Sequence, residues 1–272
     1  MGLWRGGKLR KRARAVSVAI LTYHSLDEGG SVISVAPKVF AAQMQSLAQS
    51  GKRVVKLDEV AHLLDIGESA VAITFDDGFR NFLEHAAPVL AQYNFPATVF
   101  LVTAHCGRDN GWPTQPKDVA PQPLLSWDEV KSLHAAGIQF GAHSQSHPIL
   151  TRLPPDAAEA EMVGSKRAVE VALGGPVESF AYPYGACDTH TRVLARRHFH
   201  VACGVELGYA TRNSDRLELE RLDMYYWRNK PDLSDLFSLR TRAYVGVRAK
   251  MRAARRLFSP QSESNQYQHG KS

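Results

Sequence analysis

Short, largely apolar runs alternate with longer amphipathic segments along most of the chain. The runs that predict buried strands share a short length and a high content of apolar or β-branched residues, and they are residues 17–23, 53–57, 71–75, 97–103, 138–142, 177–181, 201–205 and 218–223. Between them, segments such as 81–93 and 155–173 carry apolar residues at helical spacing. Because strands alternate with helices, the pattern predicts an α/β protein with parallel βαβ units, barrel-like or doubly wound.

The two ends of the chain differ from its body in charge. Residues 1–26 hold six Lys or Arg and residues 236–261 hold seven, and neither stretch has an acidic residue. Subtracting these thirteen from the 33 basic residues leaves 20 basic against 27 acidic residues. The body therefore has a net charge near −7, although the net charge of the whole chain is +6. We divide the chain into a basic N-terminal tail (1–14), one α/β domain (15–230), a basic amphipathic helix (231–258) and a disordered tail (259–272).

The predicted C-terminal helix has an apolar stripe among basic residues. The stripe repeats every three or four residues and consists of Tyr244, Val247, Met251, Ala254 and Phe258. Two interpretations stay open. The helix either packs on the body with a solvated basic face, or it contacts an anionic membrane surface.

Cysteine usage and the N-terminal segment bear on location. Three widely spaced cysteines form neither a disulfide framework nor a zinc ribbon, so we expect reduced thiols in a reducing compartment. Residues 5–22 are basic and then apolar, as in a signal peptide, but the apolar run is short and leads into Tyr23-His24 without a small-residue cleavage site. We interpret it as the first strand and expect a cytoplasmic protein, with contact to a membrane surface left open.

The strand at residues 71–75 runs directly into Asp76, Asp77 and Gly78. Parallel α/β sheets place their sites at the carboxyl ends of strands, and buried unpaired charges are costly. Adjacent side chains on an extended chain point to opposite sides, so the two carboxylates can take different roles. The alternative is a strand that ends in a plain Asp-Gly turn.

Two histidines, His143 and His147, follow the strand at residues 138–142 with a spacing of four. Two imidazoles and one carboxylate are a common ligand set for a catalytic divalent metal that keeps one position open for water. The alternative is a pair of solvated histidines in a polar loop. Together with the aspartate pair, the spacing predicts a metal site.

Three segments resemble, in order and spacing, the motifs of a known family. Thr74-Phe-Asp-Asp-Gly78, His143-Ser-Gln-Ser-His147 and Phe180-Ala-Tyr-Pro-Tyr-Gly185 are similar to the three motifs of the polysaccharide deacetylases, carbohydrate esterase family 4, which share the NodB-like domain. The resemblance covers about residues 17–225. It implies a distorted (β/α) barrel and metal-dependent removal of N-acetyl groups from a polysaccharide.

The resemblance also implies a role for each matching residue. Asp76 is expected to be the general base, and Asp77, His143 and His147 are expected to hold the metal. Zinc is the first expectation, and cobalt, nickel or manganese would also suit these ligands. Tyr184 occupies the position where the family uses a backbone N–H to stabilise the oxyanion.

The sequence departs from the family pattern at two positions. No clear Leu-x-His segment follows the third motif, but His24 ends the first strand, as in a permuted subgroup that includes exopolysaccharide deacetylases. We expect His24 to be the general acid; a structural histidine is the alternative. The family often has an arginine where this chain has Ala181, and we expect Arg221 to orient the catalytic aspartate instead, with a surface arginine as the alternative.

Aromatic side chains are candidates for contact with sugar rings. Trp112 lies in a long loop, residues 105–122, and is expected to stack on the glycan. Trp127 begins a predicted helix and is expected in the core. Tyr182 and Pro183, both in the third motif, complete the expected substrate-binding residues.

These observations predict a metal-dependent hydrolase that removes N-acetyl groups from N-acetylhexosamine units of an exopolysaccharide or a cell-envelope glycan. Two rivals stay open: a related amide hydrolase acting on peptidoglycan or a small amide, and an inactive carbohydrate-binding module. The basic ends suggest nucleic acid as a partner. The acidic body and the lack of a nucleic-acid-binding motif argue against that partner.

Overall fold

The computed structural model describes residues 16–116 and 119–258, the last four by their backbone alone. The basic tail and the disordered tail expected at the two ends lie outside the described residues. The strands share a parallel arrangement, and they are β1 (Val18–Tyr23), β2 (Ser25–Leu26), β3 (Ser34–Val35), β4 (Val54–Val55), β5 (Ala70–Phe75), β6 (Thr98–Leu101), β7 (Gln139–Ala142), β8 (Ser179–Ala181), β9 (Val201–Leu207) and β10 (Leu219–Asp223).

Helices follow most of the strands. The α-helices are α1 (Pro37–Gln49), α2 (Val60–Ile66), α3 (Ala87–Gln92), α4 (Trp127–Ala135), α5 (Pro155–Leu173), α6 (Thr189–His198) and α7 (Leu239–Phe258). The predicted helix at residues 81–93 is divided, because a π-helical turn at Phe82–Ala86 precedes α3. Among the described residues, no helix is both long and apolar enough to cross a membrane.

Seven of the strands close into a parallel barrel. β1 pairs with β10 on one side and with β5 on the other, and β9, β8, β7 and β6 complete the ring. β4 pairs with the first half of β5, outside the ring. Because the first strand of the chain lies between the last strand and β5, it closes the barrel. The predicted distorted (β/α) barrel is therefore confirmed.

Residue alternation along the strands separates two apolar layers. Ala19, Leu21 and Tyr23 of β1 belong to the outer layer, which includes buried residues of α1 and α5. Val18 and Ile20 belong to the inner layer, which fills the barrel and is covered at the amino ends of the strands by α2. Toward the carboxyl ends, the inward positions become polar and remain buried; they include Thr22, Thr74, Asp76 and Arg221. This change from apolar to polar defines the site.

The C-terminal helix differs from its prediction in extent and orientation. α7 begins at Leu239, eight residues after the predicted start. It docks through Thr241 and Val245, each 3% exposed, and Arg242 Nη2 donates to the Ser17 hydroxyl at 2.6 Å. Two members of the apolar stripe predicted from the sequence, Val247 and Met251, face away from the body and are 59% and 47% exposed. The docking face could not be recognised as apolar because arginines on it, including Arg242, stack on aromatic rings.

Candidate active site

The two adjacent aspartates at the end of β5 reach the same site because their backbone conformations differ. Asp76 continues the inward positions of β5, after Ala72 and Thr74, and it is 4% exposed. Asp77 has a φ of 70°, a left-handed conformation that is uncommon for residues other than glycine. Alternation alone would send its carboxylate outward. The left-handed turn instead accompanies a carboxylate that meets His143 and His147.

Three ligand atoms converge at one point. Asp77 Oδ1 lies 3.4 Å from His143 Nε2 and 3.3 Å from His147 Nε2, and the two Nε2 atoms are 3.3 Å apart. A tetrahedral site with metal–ligand bonds of about 2.0–2.1 Å has edges of about 3.3–3.4 Å between ligand atoms. The three side chains therefore form one face of a tetrahedron of suitable size for a divalent transition metal, with the fourth corner left for another ligand.

The protonation states also suit a metal. His143 Nδ1 lies 2.7 Å from the carbonyl oxygen of Ala181; since a carbonyl only accepts, Nδ1 carries the proton and Nε2 presents its lone pair. Burial lowers the pKa of His147 to about 4, which leaves this imidazole neutral at pH 7. Burial opposes the charge on Asp77, but its contacts with the side chains of His143 and His147 hold its pKa well below the usual range. Asp77 and His147 are therefore in the forms that bind metals. Burial lowers the pKa of His143, but the neighbouring Asp77 and Asp76 raise it overall, so a bound cation would have to displace a proton from that imidazole.

Arg221 binds both oxygens of Asp76 inside the barrel. Nη1 donates to Oδ1 at 2.8 Å and Nη2 to Oδ2 at 2.7 Å, while Nε donates to the carbonyl oxygen of Gly204 at 3.0 Å. Burial raises the pKa of Asp76, but the charge and hydrogen bonds of Arg221 outweigh burial and lower that pKa overall. Asp76 is thus ionised and fixed in orientation. The guanidinium comes from β10 rather than from the position of Ala181 on β8.

His24 stands beside the same carboxylate. It follows β1 directly, and the pairing of Tyr23 with Phe75 brings it level with Asp76, whose backbone N–H donates to the carbonyl of Tyr23 at 2.9 Å. His24 Nε2 lies 3.8 Å from Asp76 Oδ2, and its side chain is 12% exposed. The register of β1 and β5 therefore places an imidazole at the mouth of the site.

The third motif forms a tight turn with Tyr184 at its centre. Tyr184 has a φ of 56° within the turn Pro183–Gly185, and Gly185 follows with a φ of 61°. A Cβ atom at Gly185 would lie 1.9 Å from Val205 Cγ1, so only glycine fits there without displacement of β9. The ring of Tyr184 contacts His147, with centroids 4.5 Å apart. The turn is therefore close to the ligand cluster.

The three residues expected to bind the glycan, Tyr182, Pro183 and Trp112, all have buried side chains. Tyr182 is 0% exposed in the outer layer, and its hydroxyl donates to the carbonyl of Leu217 at 2.8 Å. Pro183 is buried in the turn. Trp112 is 3% exposed and its ring lies on His147, with centroids 4.3 Å apart, so it offers no open face to a sugar.

Sequence reasoning overlooked two threonines near the ligands. Thr74 belongs to the first motif, but sequence reasoning assigned it no role of its own. Its hydroxyl donates to the carbonyl of Leu21, on the neighbouring strand, at 2.9 Å. Its inward position could have been read from the alternation of β5. Thr114, in the long loop, donates to the backbone carbonyl of His147 at 2.8 Å. No local pattern marks Thr114, because the contact joins segments that are 33 residues apart.

Solved structures share this architecture. The deacetylase PplD of Streptococcus pyogenes, determined with acetate, is 25% identical, with a TM-score of 0.70 over 84% of this chain and 99% of that chain. IcaB of Ammonifex degensii has a TM-score of 0.65 at 22% identity, over 79% of this chain and 98% of that chain, and supports the fold alone.

Sequence comparison agrees with the structural likeness. The chain is 24% identical to the poly-β-1,6-N-acetyl-D-glucosamine N-deacetylase of Staphylococcus aureus over 202 residues, 70% of this chain and 67% of that protein. It is 27% identical over 217 residues to YxkH of Bacillus subtilis, named as a polysaccharide deacetylase, over 78% and 73% of the two chains. The profile of the polysaccharide deacetylase domain matches residues 65–201. The chain therefore belongs to the polysaccharide deacetylase family, a family of hydrolases.

Proposed function

We propose that this polysaccharide deacetylase is a metal-dependent enzyme that removes N-acetyl groups from N-acetylhexosamine units of an exopolysaccharide or a cell-envelope glycan. The observation that carries the proposal is the convergence of Asp77, His143 and His147 next to a separate, ionised Asp76. A similar relative from Staphylococcus aureus is named for poly-β-1,6-N-acetyl-D-glucosamine, which supports this class of substrate.

Asp77, His143 and His147 would hold the metal, and zinc is the ion we propose. The spacing of about 3.3 Å between their ligand atoms supports a four-coordinate ion. A bound divalent cation would supply Lewis-acid activation of a water molecule and of the acetyl carbonyl.

The protein residues then divide the proton transfers between them. Asp76 accepts the proton of the attacking water as general base, and Arg221 keeps Asp76 ionised and aligned for that step. The water oxygen bonds to the acetyl carbon, and the backbone N–H of Tyr184 stabilises the resulting oxyanion. His24 donates a proton to the amide nitrogen as the C–N bond breaks. The products are acetate and a free amine on the sugar.

Acetate release from N-acetylglucosamine oligomers tests this proposal. Zinc-loaded protein is expected to release acetate, and Asp76→Asn is expected to lose turnover by at least about 10²-fold while it still binds zinc. Asp128→Asn, an exposed aspartate on α4, is the matched control and is expected to keep wild-type turnover.

The same assay separates the rivals. Turnover on peptidoglycan fragments or small N-acetyl amides, without turnover on hexosamine oligomers, would favour the related amide hydrolase. Zinc binding without turnover on any N-acetylated compound would favour a carbohydrate-binding module.

We also propose that α7 contacts an anionic membrane surface from the cytoplasmic side. Support comes from the face opposite the docking face, where Val247 and Met251 are 59% and 47% exposed on a helix without acidic residues. The cytoplasmic side is proposed because we expect the three widely spaced cysteines to be reduced thiols, as in a reducing compartment.

Vesicle sedimentation tests the membrane contact. The protein is expected to sediment with phosphatidylglycerol vesicles more than with phosphatidylcholine vesicles, and Val247→Glu with Met251→Glu is expected to remove that difference. Val171→Glu, at a 77% exposed position on α5, is the control that should leave it unchanged. Equal sedimentation of the wild type with both vesicles would contradict the contact.

A further inference from the structure

The described part of the long loop, residues 105–116 and 119–122, packs against the ligand cluster. It is held at its ends by the bridges between Asp109 and Pro123 and between Phe79 and Leu124. Trp112 belongs to a small apolar cluster separate from the barrel layers, together with residues that include Phe79 and Leu124. The loop therefore has a core of its own, and the indole of Trp112 is fixed between that core and His147.

A chain of three hydrogen bonds leads from this loop to a ligand. Trp112 Nε1 lies 3.0 Å from the Tyr184 hydroxyl, that hydroxyl lies 2.9 Å from Thr114 Oγ1, and Thr114 Oγ1 lies 2.8 Å from the carbonyl oxygen of His147. An indole N–H only donates and a carbonyl only accepts, so every direction in the chain is fixed. Tyr184 accepts from Trp112 and donates to Thr114, and Thr114 donates to His147. Each hydroxyl uses its single proton.

We propose that Trp112 and Thr114 are positioning residues for the reaction. Through the Tyr184 hydroxyl they fix the turn that carries the Tyr184 backbone N–H, and through the His147 carbonyl they fix the backbone of a ligand. This inference rests on the proposed function for its kinetic consequence, because that function assigns the oxyanion to the Tyr184 N–H.

The backbone conformations of Tyr184 and His147 explain why these two residues need to be held by the loop. Tyr184 and His147 have φ values of 56° and 58°, and left-handed conformations of non-glycine residues persist only where the surroundings hold them. Tyr184 is the second member of the hydrogen-bond chain, and His147 is its last member. Their rings also contact each other, and the Trp112 ring lies on the His147 ring. The loop thus holds two strained backbone positions at once.

Removal of single hydroxyl groups tests the hydrogen-bond chain. Tyr184→Phe keeps the ring and the backbone N–H, and Thr114→Val keeps the volume of the side chain. Each is expected to lower kcat about 10- to 100-fold with little change in KM, below the loss of about 10²–10³ for removal of an oxyanion donor. Thr114→Ser keeps the hydroxyl and is expected to restore most of kcat. The double variant is expected to be no slower than the slower single variant, because both break one chain.

A matched control separates positioning from general loss of stability. The Tyr209 hydroxyl donates to the carbonyl of Leu236, near the amino end of β1 and away from the ligands. Tyr209→Phe is expected to lower stability without change in kcat. An equal loss of kcat in Tyr209→Phe would overturn the inference, as would kcat within about twofold of wild type in both Tyr184→Phe and Thr114→Val.

Zinc affinity supplies a readout that does not need turnover. Thr114→Val is expected to weaken zinc binding roughly tenfold, as loss of outer-shell partners commonly does. If the wild type releases no acetate but Thr114→Val still weakens zinc binding, the proposed function fails and the inference on His147 stands. If the wild type is active and neither kcat nor zinc affinity changes in Thr114→Val, the inference fails and the proposed function stands.

Discussion

Arg221→Met removes one partner of a buried ion pair and leaves the other in place. Arg221 and Asp76 have side chains that are 4% and 5% exposed, and two hydrogen bonds of 2.8 and 2.7 Å join them. Without the guanidinium, the buried carboxylate loses both of these hydrogen bonds and the adjacent positive charge, and the carbonyl of Gly204 loses its donor. Loss of one partner from such a pair costs about 3–5 kcal/mol of the free energy of unfolding. At about 2–3 °C per kcal/mol, the midpoint of thermal unfolding is expected to fall by about 6–15 °C.

Thermal unfolding at fixed zinc concentration, followed by circular dichroism, measures this loss. Arg192→Met is the control, since Arg192 and Glu218 form a pair of similar length, 2.7 Å, whose side chains are 31% and 26% exposed. A partly exposed pair contributes only about 0–1 kcal/mol. The double variant Asp76→Asn with Arg221→Met removes both charges and is expected to regain much of the lost stability. A loss below about 1 kcal/mol in Arg221→Met would refute the reasoning, as would a double variant as unstable as the sum of its singles.

The same substitution is expected to change the pH dependence of turnover. Arg221 lowers the pKa of Asp76 against the effect of burial, so its removal raises that pKa. Because the general base must be ionised, the acid limb of the kcat/KM profile is expected to move to higher pH. Arg221→Ala with full activity and an unchanged acid limb would show that Arg221 does not act on Asp76.

Three further predictions concern the metal, the general acid and the third-motif turn. Chelation is expected to abolish acetate release and zinc to restore it, and His143→Ala is expected to lose more zinc affinity, by calorimetric titration, than the roughly 10- to 100-fold typical of an outer-shell change. His24→Ala is expected to lower kcat by about 10²–10⁴-fold with zinc affinity unchanged; kcat within about threefold of wild type would exclude His24 as the acid. Gly185→Ala is expected to destabilise more than Gly174→Ala in thermal unfolding, because both glycines have positive φ but a Cβ would meet Val205 at 1.9 Å at one position and nothing within 4 Å at the other.

Apolar runs and helical spacing predicted parallel βαβ units, and the resemblance to the deacetylases then indicated a barrel rather than a doubly wound sheet. Neither gave all the details of that barrel. The predicted strand at residues 53–57 is only Val54–Val55, because β4 pairs with half of β5 before β6 takes over that edge. The inward direction of Arg221 follows from its strand position, two residues after Leu219 of the inner layer. The contact of Arg221 with Asp76 joins β10 to β5, which are 145 residues apart in sequence and flank β1 on its two sides. Only the pairing of β1 with both strands brings the two residues together.

The burial of Tyr182 had a signal in the sequence, whereas the burial of Trp112 had none. Phe180 and Tyr182 share one face of an extended strand, and Phe180 is part of an apolar run, so alternation indicates an outward Tyr182. Trp112 lies in a loop without periodicity. Its position over His147 depends on a loop core whose members, such as Phe79 and Leu124, come from separate segments. The docking face of α7 was hidden for a similar reason, since its half-buried arginines stack on aromatic rings of other segments.

Backbone strain in this protein concentrates where its chemistry is proposed. Of the five non-glycine residues with left-handed φ among those the structure describes, four lie in the motif segments: Asp77, Ser144, His147 and Tyr184. Local propensity opposes each of them, by an energy of order 1–3 kcal/mol per residue. Glycine would relieve that cost but would remove a ligand, a hydroxyl or a ring that the site uses. Sequence patterns therefore find the motif residues by their chemistry and miss the conformations that make them converge, because those conformations are held by contacts between β5, β7, the third-motif turn and the long loop rather than by local preference.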